Sequence, residues 1–144
     1  MEMYTIGYEG TAIEEFTQRL LELNINVVAD VRRTPISRKP KFSKKALAEE
    51  LANQNIQYIH FRELGTPREI RDKLAGTKDY VKFRLRYRRY LKSKVTVLGE
   101  LSSLMKTKKV VLMCVEHDPD KCHRSVIAAV MKEIDGNRLR IHSL

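Results

Sequence analysis

Cysteine is scarce in this sequence, and long apolar runs are absent. The 144 residues include only two cysteines, Cys114 and Cys122. A chain of this length can bury a core without covalent cross-links, which argues against a disulfide scaffold. We therefore expect both thiols to be reduced, with structural, catalytic and metal-binding roles still open to them.

No stretch approaches the roughly 20 consecutive apolar residues of a membrane-spanning helix. The first residues, MEMYTIGYEG, also lack the basic and then apolar regions of a signal peptide. The hydrophobic content is 42%, which together with the length is typical of one domain. The sequence thus predicts a single domain over residues 1–144 that stays in the cytoplasm.

Positive charge is abundant and unevenly distributed. The net charge is +10, and residues 62–109 hold 15 Lys or Arg against 5 Asp or Glu, so the whole excess lies there. A second segment, residues 32–45, has seven basic residues and no acid. Such fields favour polyanions, with nucleic acid first, nucleotides second and anionic membranes third, although a solvated basic face also explains them.

Five short apolar runs predict strands, at residues 3–6, 27–31, 56–61, 110–115 and 139–141. Amphipathic segments between them predict helices. One starts at a capping box of Thr11 and Glu14, a second is capped by Ser43, and a third runs from about residue 123 to residue 135 before Gly136. The alternation predicts an α/β fold: a mainly parallel five-stranded sheet with helices on both faces, a Rossmann-like three-layer arrangement.

Ligands of such sheets bind outside the carboxyl ends of the strands, and three polar segments occupy that edge. In the first, Gly7-Tyr8-Glu9-Gly10, the glycines permit a tight turn or a close ligand approach, and a plain turn is equally compatible. In the second, Asp30 and Arg32 lie on the same face of a strand. They either pair with each other as structure, or Asp30 orients Arg32 toward phosphate.

The third segment brings Cys114 to the sheet edge and opens the last helix with Cys122-His123-Arg124. Free N–H groups and partial positive charge at a helix start bind anions and favour a thiolate, so we predict that Cys122 is more reactive than Cys114, which resembles a small buried hydrophobe. Zinc ligation by both cysteines with His117 and His123 is an alternative, but their spacing matches no common zinc module.

Several motifs together resemble the DUF488 family, a domain of unknown function. They are Thr5-Ile6-Gly7, Asp30-Val31-Arg32 with Ser37-Arg38, Leu64-Gly65, Met113-Cys114 with Glu116, and Cys122-His123-Arg124. The resemblance spans nearly the whole chain. It implies a compact α/β protein of prokaryotes without an assigned activity, whose candidate site comprises these same positions.

The sequence also bears a fainter similarity to rhodanese domains, in which Asp-Val-Arg after one strand precedes an active-site cysteine at the end of another. Here the loop after Cys114 is longer and carries Glu116, Asp118 and Asp120. Negative charge beside a persulfide opposes sulfur transfer, which makes this the minority interpretation.

The leading hypothesis is an enzyme, a hydrolase or transferase, that acts on a nucleotide or nucleic-acid phosphate. Arg32, Arg38 and Arg124 would hold the phosphate, Glu116 or Asp30 would be the general acid or base, and Cys122 or His123 the nucleophile or proton donor. The expected catalytic residues are Asp30, Glu116, Cys122 and His123. The expected substrate-binding residues are Tyr8, Arg32, Arg38 and Arg124. We expect all but Tyr8 to surround one pocket; no metal ligand is assigned, and no cofactor is identified.

Two alternatives remain open. One is a non-catalytic nucleic-acid-binding module, which would use the cluster Arg84, Arg86, Arg88 and Arg89 in a salt-dependent manner. The other is a sensor of a small anion. The aromatic residues near these arginines share one helical face, which favours core packing over base stacking.

Overall fold

The computed structural model describes residues 1–136 and 138–144. In this part of the chain, five strands form one parallel sheet in the order β3-β2-β4-β1-β5. Their bounds are β1 Glu2–Gly7, β2 Val27–Asp30, β3 Gln57–His60, β4 Val110–Cys114 and β5 Arg140–Ser143. The parallel sheet expected from the alternating pattern is confirmed.

Six α-helices connect these strands: α1 Ile13–Glu22, α2 Lys44–Asn53, α3 Arg68–Thr77, α4 Tyr80–Lys92, α5 Val95–Thr107 and α6 Arg124–Ile134. Short 3-10 turns span Arg62–Leu64 and Pro119–Lys121. Across the described residues, none of the helices has the length and apolar character required to cross a membrane.

Of the two predicted helix caps, Ser43 is confirmed as the N-cap residue of α2 and Thr11 is wrong, and neither side chain makes a capping hydrogen bond. The N-cap of α1 is Ala12, one residue beyond Thr11, and no side chain caps it. Ser43 does precede α2, but its hydroxyl donates to the carbonyl oxygen of Ser37 and accepts from the Ser37 amide, so it closes the preceding loop instead. The expected glycine after α6 is confirmed, since Gly136 adopts a left-handed φ of 67°, which favours glycine.

The order of the strands divides the helices between two faces. From β1 the chain moves to β2 and then β3 in one direction, and it turns back after β3 to place β4 between β2 and β1. Right-handed crossovers in opposite directions pass over opposite faces. Accordingly, α1 and α2 pack on one face with Phe16 and Leu47, whereas α4, α5 and α6 pack on the other with Tyr87, Leu101 and Ile127.

The connections that leave β2 and β4 therefore pass to opposite faces of the sheet. In an open parallel sheet, such a reversal leaves a crevice at the carboxyl ends of the strands. On one side it is overhung by α3, a helix that the sequence pattern did not reveal because it buries no residue completely. Only Ile70 and Leu74 connect α3 to the core, and both are partly buried.

We predict that α3 is the least protected helix and β4 the most protected strand in amide hydrogen exchange. Every residue of β4 is buried and the strand has a partner on each side, so its amides open only in global unfolding, whereas α3 can open locally. Exchange followed by mass spectrometry on peptides covering the two elements measures this. Equal protection of α3 and β4 would contradict the loose attachment of α3.

Candidate anion-binding site

A cleft of about 650 Å³ lies at the carboxyl edge of the sheet, beside the ends of β2 and β4. Loops after the two strands form its floor, and α3 with the start of α4 forms its wall. The lining residues include the segments Arg32 to Thr34, Cys114 to Glu116 and Lys121 to His123, together with Thr66, Arg71, Leu74, Ala75, Lys78, Tyr80 and Phe83. The cleft therefore combines an apolar wall with a cationic rim.

Asp30 and Arg32 form a buried ion pair below this cleft. The Arg32 Nη2 atom lies 2.8 Å from Asp30 Oδ2, its Nε donates to Oδ1 at 2.9 Å, and its backbone amide donates to the same oxygen at 3.0 Å. Asp30 is fully buried and Arg32 is 4% exposed. Tyr58 donates a further hydrogen bond to Asp30, so both oxygens of the carboxylate are occupied.

The Nη1 atom of Arg32 connects the ion pair to residues on the face of the sheet that α1 and α2 cover. It donates to the Tyr8 hydroxyl at 3.2 Å and to the Phe42 carbonyl oxygen at 2.7 Å. Burial opposes the charge of Arg32, but the hydrogen bonds and the charge of Asp30 outweigh it, so the pKa of Arg32 is raised. Burial, followed by the bond to Asp30, also raises the pKa of Tyr58.

Arg124 is a second buried arginine, and it holds the loop after β4. Its side chain is completely buried, its Nη1 donates to the Glu116 carbonyl oxygen, and its Nη2 donates to that of His117 at 2.8 Å. Burial lowers the pKa of Arg124. Gly7 belongs to the same arrangement, because a Cβ atom there would overlap the Glu116 carbonyl. The close approach expected of this glycine is therefore to protein backbone.

His123 is a neutral imidazole whose orientation is fixed. Its Nε2 faces the carbonyl oxygen of Val31, which can only accept, so Nε2 carries the hydrogen and Nδ1 is an acceptor. Nδ1 lies 3.7 Å from Cys122 Sγ. Burial, aided by the positive charge of Arg124, lowers the pKa of His123 to about 4. His123 Nδ1 is thus placed to accept a hydrogen bond from the Cys122 thiol when that thiol is reduced.

The expectation of two reduced thiols differs from the structure, in which the sulfur atoms of Cys114 and Cys122 lie at bonding distance. Their Cα atoms are 7.4 Å apart, more than the usual span of a disulfide. The 3-10 turn Pro119–Lys121 folds the loop back and brings the end of β4 to the start of α6, which spacing alone does not indicate. Cys114, Glu116 and Cys122 also form a group with ligand atoms within 4.8 Å of one another. However, Arg124 Nη1 lies 3.1 Å from Cys114 Sγ, and a fixed guanidinium there opposes a cation.

Four other cations reach the cleft: Arg33, Arg71, Lys78 and Lys121. Among the described residues, none of the four forms a salt bridge, and the recorded partner of Arg33 is the neutral Tyr90 hydroxyl at 3.1 Å. Among the described residues that line the cleft, Glu116 is the one acid. Burial raises the pKa of Glu116, so this carboxyl group retains its proton to a higher pH than an exposed one.

The residues predicted for the site are only partly brought together. Arg32, Glu116, Cys122 and His123 line the cleft, whereas Asp30, Arg124 and Tyr8 do not. Tyr8 is stacked on Phe42 at 4.4 Å in the core of the opposite face. Arg38 is exposed and lies outside the cleft. Their assignment to catalysis or substrate binding stays a prediction.

Sequence reasoning missed several cations of the cleft. Arg33 and Lys121 lie in two polar strand-end segments in which the sequence motifs point to Arg32 and Arg124 instead. Arg71 and Lys78 belong to α3 and its C-terminal cap. The feature of the sequence that could have indicated these cations is the group of basic residues around Thr66, which follows the Leu64-Gly65 motif.

These features define an α/β protein with a basic cleft at the carboxyl edge of a parallel sheet. The chain matches the family model of DUF488, a domain of unknown function, over residues 12–131. The protein belongs to this family. The matched span includes both floor loops of the cleft and the wall helices, while β1 and β5 lie outside it. No curated protein and no solved structure matches the chain significantly.

We predict that Arg32→Met lowers the free energy of unfolding by about 3–5 kcal/mol at pH 7, because it leaves the Asp30 carboxylate buried without its cation. Arg38→Met is the matched control and should change stability by less than about 0.5 kcal/mol, since Arg38 is exposed. Urea unfolding followed by circular dichroism measures both. A small loss for Arg32→Met would mean that Arg32 is held for ligand binding and not for structure.

We also predict that His123 destabilises the fold in acid. The unfolded chain takes up a proton on histidine near pH 6.5, whereas folded His123 stays neutral until about pH 4. Stability due to this group is therefore lost between pH 6.5 and 4, by roughly 2–3 kcal/mol at pH 4.5. His123→Gln retains a donor for Val31 and removes the titration. Urea unfolding at pH 7 and pH 4.5 should show the smaller loss in the variant, and equal losses would contradict the burial of a neutral imidazole.

Proposed function

We propose that the protein is an enzyme acting on a phosphate-bearing substrate, a nucleotide or a nucleic-acid strand, that binds in this cleft. The observation that carries the proposal is the set of four cations, Arg33, Arg71, Lys78 and Lys121, which line one concavity without carboxylate partners among the described residues. Cations arranged in this way provide charge-assisted hydrogen bonds to phosphate oxygens.

This proposal assigns phosphate binding to these four cations instead of Arg32, Arg38 and Arg124. Arg32 uses its side-chain nitrogens for Asp30, Tyr8 and Phe42, and Arg124 holds backbone carbonyls. A phosphate would have to break these bonds to bind either of them, and leaving the partners unsatisfied costs more than the new bond contributes. Both arginines instead hold the loops on which the cleft is built.

The wall of the cleft fits the organic part of a nucleotide. Leu74, Ala75, Tyr80 and Phe83 supply an apolar and aromatic surface facing the basic floor loops. A volume of about 650 Å³ lies within the range of small-molecule sites. A base packed on this wall would place its phosphate among the cations at the rim.

Glu116 is the residue that we assign as general acid. It lines the cleft, and burial raises its pKa, which is the direction of shift that suits a general acid. Asp30 is unsuited to this role, because Arg32 and Tyr58 occupy both of its oxygens.

A nucleic-acid strand would also extend beyond the cleft and would need cations outside it. Two arginines of α4 that could serve this purpose already have acidic partners. Arg84 lies 3.7 Å from Asp120, and Arg88 lies 2.6 Å from Glu133. Both arginines are thus directed toward acids around α6. A nucleotide, which needs only the cleft, is therefore the favoured form of the substrate.

We predict that the double variant Arg71→Gln/Lys121→Gln binds nucleoside phosphates at least about tenfold more weakly than the wild type, because each lost charge-assisted bond contributes about 1.5–3 kcal/mol. Lys45→Gln/Lys132→Gln is the control: it removes the same charge from exposed sites outside the cleft. Calorimetric titration with mononucleotides and with short DNA and RNA strands, at low and high salt, measures the affinities. Equal weakening in the two double variants would show that only net charge matters and would contradict a specific site.

The variant Glu116→Gln tests whether the protein is an enzyme. In a screen of nucleoside phosphates and oligonucleotides for released products, this variant should lose about 10²–10⁴-fold in rate while its affinity in the same titration is retained. An unchanged rate would remove Glu116 from the mechanism. Binding without turnover of any of these substrates would favour the non-catalytic module or sensor.

A further inference from the structure

The two paired sulfur atoms at the floor of the cleft have chemically different neighbours. Cys114 and Cys122 both line the cavity, and they join the end of β4 to the residue before the N-cap of α6. The Cys114 sulfur lies 3.1 Å from the Arg124 guanidinium, whereas the Cys122 sulfur faces the acceptor nitrogen of His123 at 3.7 Å. The proposed phosphate chemistry uses neither sulfur.

We propose that Cys114–Cys122 is a redox-active disulfide that exchanges with small anionic thiols bound in the cleft, with Cys122 as the sulfur attacked and Cys114 as the leaving thiolate. This exchange reaction goes beyond the proposed function and shares with it only the cations at the rim of the cleft. These cations would attract a thiol that carries carboxylate or phosphate groups.

The direction of attack follows from what each sulfur contacts. When the disulfide opens, one sulfur leaves as a thiolate, and the better leaving group is the one whose negative charge is stabilised. A Cys114 thiolate would accept a hydrogen bond from the full positive charge of Arg124. A Cys122 thiolate would have only the partial charge at the start of α6 and would face the lone pair of His123 Nδ1.

The exchange balances in two steps. The incoming thiolate forms a bond to Cys122 Sγ, the Cys122–Cys114 bond breaks, and its electron pair leaves on Cys114. A second thiolate attacks the sulfur of the bound thiol, releases it as a small-molecule disulfide and leaves Cys122 as a thiolate, which takes a proton from water. The protein disulfide is thereby reduced by two electrons and two thiols are oxidised. In the reduced protein, the Cys122 S–H group can donate to His123 Nδ1.

Glu116 is the group that would oppose an anionic thiol, since its carboxylate lies within 4.8 Å of both sulfurs. Against this one carboxyl group, the described lining of the cleft holds four cations: Arg33, Arg71, Lys78 and Lys121. Asp118 and Asp120 are exposed and outside the cleft lining. The cations of the rim therefore dominate the charge that an entering thiol meets.

The test uses the oxidised full chain and three probe thiols. Glutathione is anionic, 2-mercaptoethanol is neutral and cysteamine is cationic. Each is added at equal thiolate concentration, the reaction is quenched in acid, free thiols are alkylated, and peptide mass spectrometry locates the mixed disulfide. We expect glutathione on Cys122 with Cys114 alkylated, and a rate with glutathione at least about tenfold above that with cysteamine at low salt.

The remaining outcomes separate the parts of the proposal. A mixed disulfide on Cys114, or alkylation of both cysteines before any thiol is added, would overturn it. A Cys122 adduct formed at equal rates with the three probes would overturn the preference for anions. Arg71→Gln/Lys121→Gln should lose that preference while Lys45→Gln/Lys132→Gln keeps it. Calorimetric binding of nucleotides is measured independently of this exchange, so the failure of either proposal leaves the other distinguishable.

Discussion

The buried ion pair of Asp30 and Arg32 is the interaction on which the carboxyl edge of the sheet depends. Asp30 ends β2 and accepts from Tyr58 of the neighbouring strand, while Arg32 reaches Tyr8 after β1 and the backbone of Phe42 before α2. The ion pair therefore joins four separate segments of the chain: the end of β2, strand β3, the loop after β1 and the segment before α2. Desolvating such charges is costly, and the cost is offset only while every partner is in place. The pair thus enforces a single arrangement of the loops.

Arg124 has the equivalent role on the other side of β4. It satisfies backbone carbonyls that a short loop cannot pair by itself, and Gly7 leaves the room that this loop requires. Buried arginines at a strand edge suggest phosphate binding from sequence, yet both here stabilise the scaffold. In the proposed function, recognition would be left to the cations of the cleft that this scaffold positions, which is the usual division between a rigid frame and functional loops.

The sheet was predictable because its signals are local. Uninterrupted apolar runs such as β4 are too short for helices and are typical of strands covered on both faces, and Gly136 marked the end of α6 correctly. The site was less predictable. The alternation of side chains along a strand places Asp30 and Arg32 side by side, but it does not indicate whether they bind each other or a ligand. Likewise, α3 buries no complete side chain, so it lacks the apolar stripe by which helices are recognised, and its cations Arg71 and Lys78 were overlooked.

The weak anchoring of α3 has a consequence for selectivity. Arg33 and Lys121 project from loops fixed by the buried arginines, but Arg71 and Lys78 are carried by a helix that only Ile70 and Leu74 hold to the core. The distance between these two pairs of cations is consequently adjustable at little cost in packing. If the proposed substrate binds here, a site of this kind would discriminate by charge more strongly than by shape. We expect the cleft to accept anions of different length, and its width to differ with the anion that is bound.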